Sequence, residues 1–208
     1  MIMPYTSHCL RCVFVHIPKT GGTSVRKSLL LPDVQDRPAT NGHPTPTWFN
    51  HNFSYEWNSY FRFCVVRHPL LRFYSAYKFA LSEKNYWAEK KGFEHVDRFL
   101  VKKLGSVEQV AKFLLHSKNR GVVQLTHQSW KPQSVWYADT NAPISILRLE
   151  DIVKGFTSLK KRLRIADEIS LKKLNSVEGN DFLSPTTKKI VFEIYKEDYV
   201  NLGYTMEI

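Results

Sequence analysis

Cysteine is scarce: Cys9, Cys12 and Cys64 are the only three in a chain of 208 residues. That is too few for a disulfide framework, and an odd number leaves one thiol over, so a reducing, cytoplasmic setting is expected. Cys9 and Cys12 have the C-x-x-C spacing of zinc and redox sites. No second ligand pair follows at finger-like spacing, and the motif does not open a helix after a strand, so no metal is expected. Long apolar runs are missing too. Nothing approaches the roughly 20 residues that a membrane-spanning helix needs, and segment 1–11 has no apolar stretch behind a basic one, so the chain as given reads as soluble and not secreted. There is no repeated unit and no block of Ser, Gly, Pro or like charge to mark a linker or tail. One domain over residues 1–208 is the expectation.

Acidic residues are in deficit, 19 against 30 lysines and arginines, for a formal net charge of +11. An excess of that size draws anions to the surface, be they nucleic acid, acidic membrane, polyanionic sugar or nucleotide, and salt weakens each attraction. Solvated lysines alone would give the same number, so charge does not choose the partner.

Residues 12–17 form a short apolar, β-branched run stopped by Pro18 and the Gly21-Gly22 pair, which predicts a buried strand entering a tight loop. Thr23 and Ser24 are capping residues for a helix through Leu31, which Pro32 ends. Residues 32–52 are polar and rich in Pro, Thr, Asn and His, and read as a long surface connection. A second buried strand is predicted over 61–66 and a helix over 70–81. Two helices separated near Gly105-Ser106 follow within 93–116, then a less regular stretch over 121–142. A third strand is predicted over 144–149, a helix over 150–163 and a last amphipathic helix over 185–199. Alternating strands and helices predict an α/β fold, a mainly parallel sheet covered by helices, with ligands at the carboxyl ends of its strands.

The segment Ile17-Pro18-Lys19-Thr20-Gly21-Gly22-Thr23-Ser24 is the most informative. Two glycines let the backbone approach an anion, the next helix presents N–H groups, and Lys19, Thr23 and Ser24 add a charge and two hydroxyls. The ATP-type loop G-x-x-x-x-G-K-[ST] has lysine directly after its last glycine; here Lys19 precedes the pair. The G-x-G-x-x-G dinucleotide pattern is also absent. At the end of the second strand, Arg67 and, further along the next helix, Ser75 supply a guanidinium and a hydroxyl of the kind that hold a second phosphate.

Together these residues resemble one family, the sulfotransferases that use 3′-phosphoadenosine 5′-phosphosulfate (PAPS), with wording closest to the Golgi-type carbohydrate sulfotransferases and their bacterial relatives. Pro18 to Ser24 is similar to their 5′-phosphosulfate loop, and Val65-Val66-Arg67-His68-Pro69 with Tyr74-Ser75 to their 3′-phosphate segment. The similarity continues through Trp57 to Phe63, Pro132-Gln133-Ser134 with Trp136, Leu147 to Glu150, Leu174-Asn175-Ser176 and Tyr195 to Tyr204. One departure is His68, where members often have Asn or Asp.

The resemblance implies a three-layer, P-loop-like α/β fold and transfer of a sulfuryl group from PAPS to an acceptor hydroxyl, on a carbohydrate, leaving 3′,5′-bisphosphoadenosine (PAP), with no metal. Pro18, Lys19, Thr20, Gly21, Gly22, Thr23 and Ser24 would grip the 5′ end of the donor and Arg67 with Ser75 the 3′-phosphate, while Lys19 faces the departing oxygen. A histidine between the two motifs would be the general base, either His43 or His51. His127, Gln133 and Arg148 fall on the acceptor side, with Arg148 and Glu150 also able to brace each other. Trp130, Trp136 and Tyr137 suit either a sugar face or the core. His16 reads as structural. A nucleotide-binding phosphotransferase, a non-catalytic nucleotide-binding module and a nucleic-acid binder relying on charge remain as alternatives.

Overall fold

The computed structural model describes residues 3–33, 42–82, 94–119, 127–138, 141–166, 168–171 and 183–206. The chain is mixed α/β and divides into two units, Met1–Arg67 with Gln133–Ser176 and His68–Pro132 with Val177–Ile208. The predicted stretch at Leu174-Asn175-Ser176 and residues 139–140 lie outside the described residues.

The first unit holds a four-stranded sheet in the order β1 (Thr6–Ser7), β2 (Cys12–Val15), β3 (Phe61–Val66) and β4 (Ser145–Arg148). β1 runs antiparallel to β2; β2, β3 and β4 are parallel, with Cys12 opposite Phe61 and Val66 opposite Arg148. All of β2 and Phe63 to Val66 of β3 are buried. Burial on both faces explains why these strands read as continuous apolar runs and not as alternation. Because the three strands are parallel, their carboxyl ends, leading into His16, Arg67 and Leu149, lie along one edge of the sheet.

Helices flank this sheet. α1 (Gly22–Ser28) follows β2. Residues predicted as a surface connection instead include α2 (Pro46–Asn52), which is followed directly by α3 (Ser54–Ser59). Thr45 accepts a hydrogen bond from the Trp48 N–H at 3.3 Å and Pro46 opens the first turn of α2, a start signal hidden by polar neighbours. Phe49 is fully buried, its ring stacked on that of Trp57 at 5.5 Å, so this segment contributes to the core.

In the second unit α4 (Pro69–Leu81) packs with α5 (Glu94–Leu104), α6 (Val107–Asn119), α8 (Pro185–Ile194) and α9 (Lys196–Leu202), around Leu70, Phe73, Val110, Leu114, Val191 and Tyr199. The predicted last helix is two helices broken at Tyr195, whose hydroxyl donates to the Trp130 carbonyl at 2.9 Å. Arg72 is 1 % exposed and donates to the Lys131 carbonyl at 2.8 Å. Burial lowers its pKa, opposed by the nearby Tyr195 and Asp198. Back in the first unit, β4 leads into α7 (Ile152–Leu163), whose buried face is Phe156, Leu159 and Leu163. Gly155 lets that helix lie against Leu147. Among the described residues no helix is long and apolar enough to cross a membrane, and no group of three His, Cys, Asp or Glu could hold a metal ion.

Candidate active site

β2 ends at Val15, and the chain turns over residues 16–21 before α1 starts at Gly22. The turn is closed by the Thr20 hydroxyl, which is buried and donates to the Ile17 carbonyl at 2.9 Å. Lys19 has φ 68° and Gly21 φ 75°, both left-handed. A non-glycine residue there carries a strain of about 1 kcal/mol, so the rest of the loop must hold Lys19 in place. The two glycines are required for different reasons. Gly21 has the left-handed backbone, and a Cβ on it would sit 2.7 Å from Leu149 Cδ1. Gly22 has no such backbone demand; its Cβ would fall 2.6 Å from His16 Nε2, closer still to His16 Cδ2, and 2.9 Å from Phe14 Cζ. The helix N-cap, Gly21, has no side chain to cap the first turn, and the Ser24 N–H bonds back to the Gly21 carbonyl at 3.0 Å. Lys19 is half-buried, Thr23 exposed and Ser24 buried.

The structure brings His43 to the same place. It is 8 % exposed, its Nδ1 lies 2.8 Å from the His16 carbonyl, and the rings of His16 and His43 are 4.6 Å apart. A carbonyl only accepts, so Nδ1 carries the proton and Nε2 of neutral His43 holds the lone pair. Trp136 Nε1–H donates to the His43 carbonyl at 3.2 Å. His51 is exposed in the last turn of α2. His16 itself is driven well below the usual histidine range, first by burial and then by His43, Arg26 and Lys19.

Arg67, half-buried, directly follows β3. Its backbone is clamped by one side chain: the Arg67 N–H donates to Gln133 Oε1 at 2.9 Å, and Gln133 Nε2–H donates to the Arg67 carbonyl at 2.8 Å. Gln133, expected on the acceptor side, is fully buried and extends the ladder at the end of β3. Gln133 and Trp136 belong to one turn of 3-10 helix, so four residues hold both Arg67 and His43. Trp136 is fully buried and acts as core. Arg148 ends β4 opposite Val66 and is exposed, as is Glu150.

Two predicted site residues fall in the second unit. Ser75 is buried on α4. His127 is buried at the start of a 3-10 turn, where its Nδ1 accepts from the Ser129 N–H at 3.1 Å and lies 3.0 Å from the Ser129 hydroxyl. Trp130, beside it in sequence, is buried in that unit's core. Sequence reading missed the Gln133 clamp, the His16 contact with Gly22 and the burial of Arg72. Only the Pro132-Gln133-Ser134 string pointed toward the first, and it gave no partner.

A sulfotransferase family model matches residues 6–205, and the chain belongs to that family of transferases. No curated protein and no solved structure matches the chain.

Proposed function

We propose that the chain transfers a sulfuryl group from PAPS to a hydroxyl on a carbohydrate, by in-line displacement with His43 as general base, within a single P-loop-like domain. The observation that carries this reading is the hydrogen bond from His43 Nδ1 to the His16 carbonyl, at 2.8 Å, because it ties an imidazole whose basic atom is Nε2 to the strand end that enters the glycine loop.

PAPS supplies a sulfuryl group already joined to a good leaving group. The residue types fit it: Gly21 and Gly22 let the loop close tightly over Leu149, His16 and Phe14, where a Cβ would collide, and Lys19, Thr23 and Ser24 on the same turn bring a charge and two hydroxyls. Pro18 to Ser24 hold the 5′ end through the backbone N–H groups and the Thr23 and Ser24 hydroxyls. Lys19 stabilises the bridging oxygen as its bond to sulfur breaks. Arg67 binds the 3′-phosphate, and the family resemblance adds Ser75. Nε2 of His43 takes the proton of the acceptor hydroxyl as its oxygen bonds to sulfur, and PAP leaves. No metal is needed in this scheme. His51 is the lesser choice for the base because it is exposed on α2. The net charge of +11 suits an anionic sugar chain. On the acceptor side Arg148 is the exposed candidate; His127 stays with it on resemblance alone. The thiols of Cys12 and Cys64 are buried and unpaired with each other, which suits a reducing, cytoplasmic setting.

The test is titration of PAP beside ATP and AMP into wild type, Lys19→Ala and Arg67→Ala. Selective PAP binding that Arg67→Ala weakens supports the donor site. Preference for ATP, or no nucleotide binding, sinks the proposal.

A further inference from the structure

The ring of His16 has no part in the mechanism above, yet its environment is not that of a core filler. Its ring is 8 % exposed and its Nδ1 is buried with no hydrogen-bond partner. A leucine or phenylalanine would fill the space without burying an unpaired nitrogen, so packing alone does not account for an imidazole here. The ring is held on three sides. It stacks on Phe14 at 5.4 Å and 23°, meets the edge of Tyr5 at 5.1 Å, and leans on the His43 ring at 4.6 Å. Its fourth side, the Cδ2–Nε2 edge, lies directly against Gly22, so near that a methyl group on Gly22 could not fit. A ring so confined cannot rotate away from the loop. The same residue's carbonyl accepts the Nδ1–H of His43.

Resting on the donor-loop reading above, we infer that His16 is a positioning residue for both halves of the chemistry. The Cδ2–Nε2 edge of its ring is the floor that sets the height of the loop backbone at Gly22. Its carbonyl holds His43 with Nε2 as the basic atom. One residue therefore fixes the distance between the group that grips the donor and the group that deprotonates the acceptor. Burial and the neighbouring His43, Arg26 and Lys19 keep it neutral, so the floor does not change with ordinary shifts of pH.

Four proteins decide the matter: wild type, His16→Ala, Gly22→Ala and the double variant. PAP is titrated into each at a temperature where far-UV circular dichroism shows folded protein, and the ring nitrogens of His43 are read by 15N NMR in wild type. Gly22→Ala alone should weaken PAP binding about tenfold or more and His16→Ala alone a few-fold, whereas the double variant should recover most of the Gly22→Ala loss, because the nearer colliding ring is gone and Phe14, no longer stacked on it, can give way. His43 should carry its proton on Nδ1. A double variant that binds no better than Gly22→Ala, or a His43 protonated at Nε2, overturns the proposal. If wild type binds no PAP, the donor assignment fails by itself, and the same cycle read as thermal midpoints without nucleotide decides the role of His16: recovery in the double variant supports it and additive loss overturns it. Should Gly22→Ala fail to fold, folding of the double variant supports the proposal and its failure overturns it.

Discussion

The clamp on Arg67 gives a prediction that can be worked through from geometry. Gln133 is fully buried and makes two hydrogen bonds to one backbone residue, at 2.9 and 2.8 Å. In Gln133→Ala both are lost and a cavity opens. Each bond contributes about 1 kcal/mol net, and deleting the buried part of the side chain adds a comparable amount, so the loss should be about 2–4 kcal/mol. Arg67 is half-buried, so water can partly replace the lost partners and the lower end of that range is the better guide. Gln133→Glu separates the two bonds. The new carboxylate still accepts from the Arg67 N–H but repels the Arg67 carbonyl, a contact that only its protonated form can turn into a hydrogen bond. The folded state then favours the proton, raising the carboxyl pKa above its unfolded value. Where the folded state binds more protons, stability falls as pH rises; the defect of Gln133→Glu should thus be largest at neutral pH and shrink as the pH drops toward about 4. Urea melts at several pH values measure both variants, and PAP titration reports whether a loosened Arg67 also weakens binding. A Gln133→Ala protein within about 0.5 kcal/mol of wild type and with unchanged PAP affinity would refute the reasoning.

Lys19→Ala should slow PAP release from PAPS by an amount corresponding to about 3 kcal/mol in the barrier while PAP affinity changes far less, checked by single-turnover kinetics beside titration. His43→Ala should cut the transfer rate by roughly 10²–10⁴ with PAP binding intact, and His51→Ala should leave both close to wild type, measured in the same assay once an acceptor is found. Gly21→Ala must adopt φ 75° and meet Leu149, so it should cost about 1–3 kcal/mol in a denaturant melt. Burial pushes the thiols of Cys12 and Cys64 up to about 11 and about 12, from an ordinary 9.0. Both states are protonated below pH 9.0; above it the unfolded chain ionises first, so stability should fall between pH 9.0 and about 12, and Cys64→Val should flatten that fall.

How much of this could be read from sequence depends on how local the cause is. β3 was predicted at its observed limits, 61–66, because a strand buried on both faces is written as an apolar run. β1 is two polar residues at the sheet edge, Thr6 and Ser7, and carries no pattern to read. α2 was obscured because it has only two buried residues, Pro46 and Phe49, in a segment otherwise rich in Thr, Asn and His. The break at Tyr195 depends on a partner, Trp130, 65 residues away. At the site, the glycine loop and Arg67 were legible since residue types at short spacing define them. Gln133 and Trp136 were not, because what they do is set by where the chain returns: 66 residues from Arg67 and 93 from His43.

Those separations also fix an order of assembly. During synthesis the glycine loop, β2, His43 and β3 leave the ribosome well before residue 133, and the entropy of closing so long a loop grows only slowly with its length. On the proposed reading, a nascent chain carries Lys19, His43 and Arg67 before Gln133 and Trp136 are there to fasten the last two. The clamp on Arg67 and the Trp136 bond to the His43 carbonyl form only when a four-residue turn comes back to the end of β3. With those contacts required, as proposed, activity reports that the polypeptide has been made, and folded, at least through Trp136.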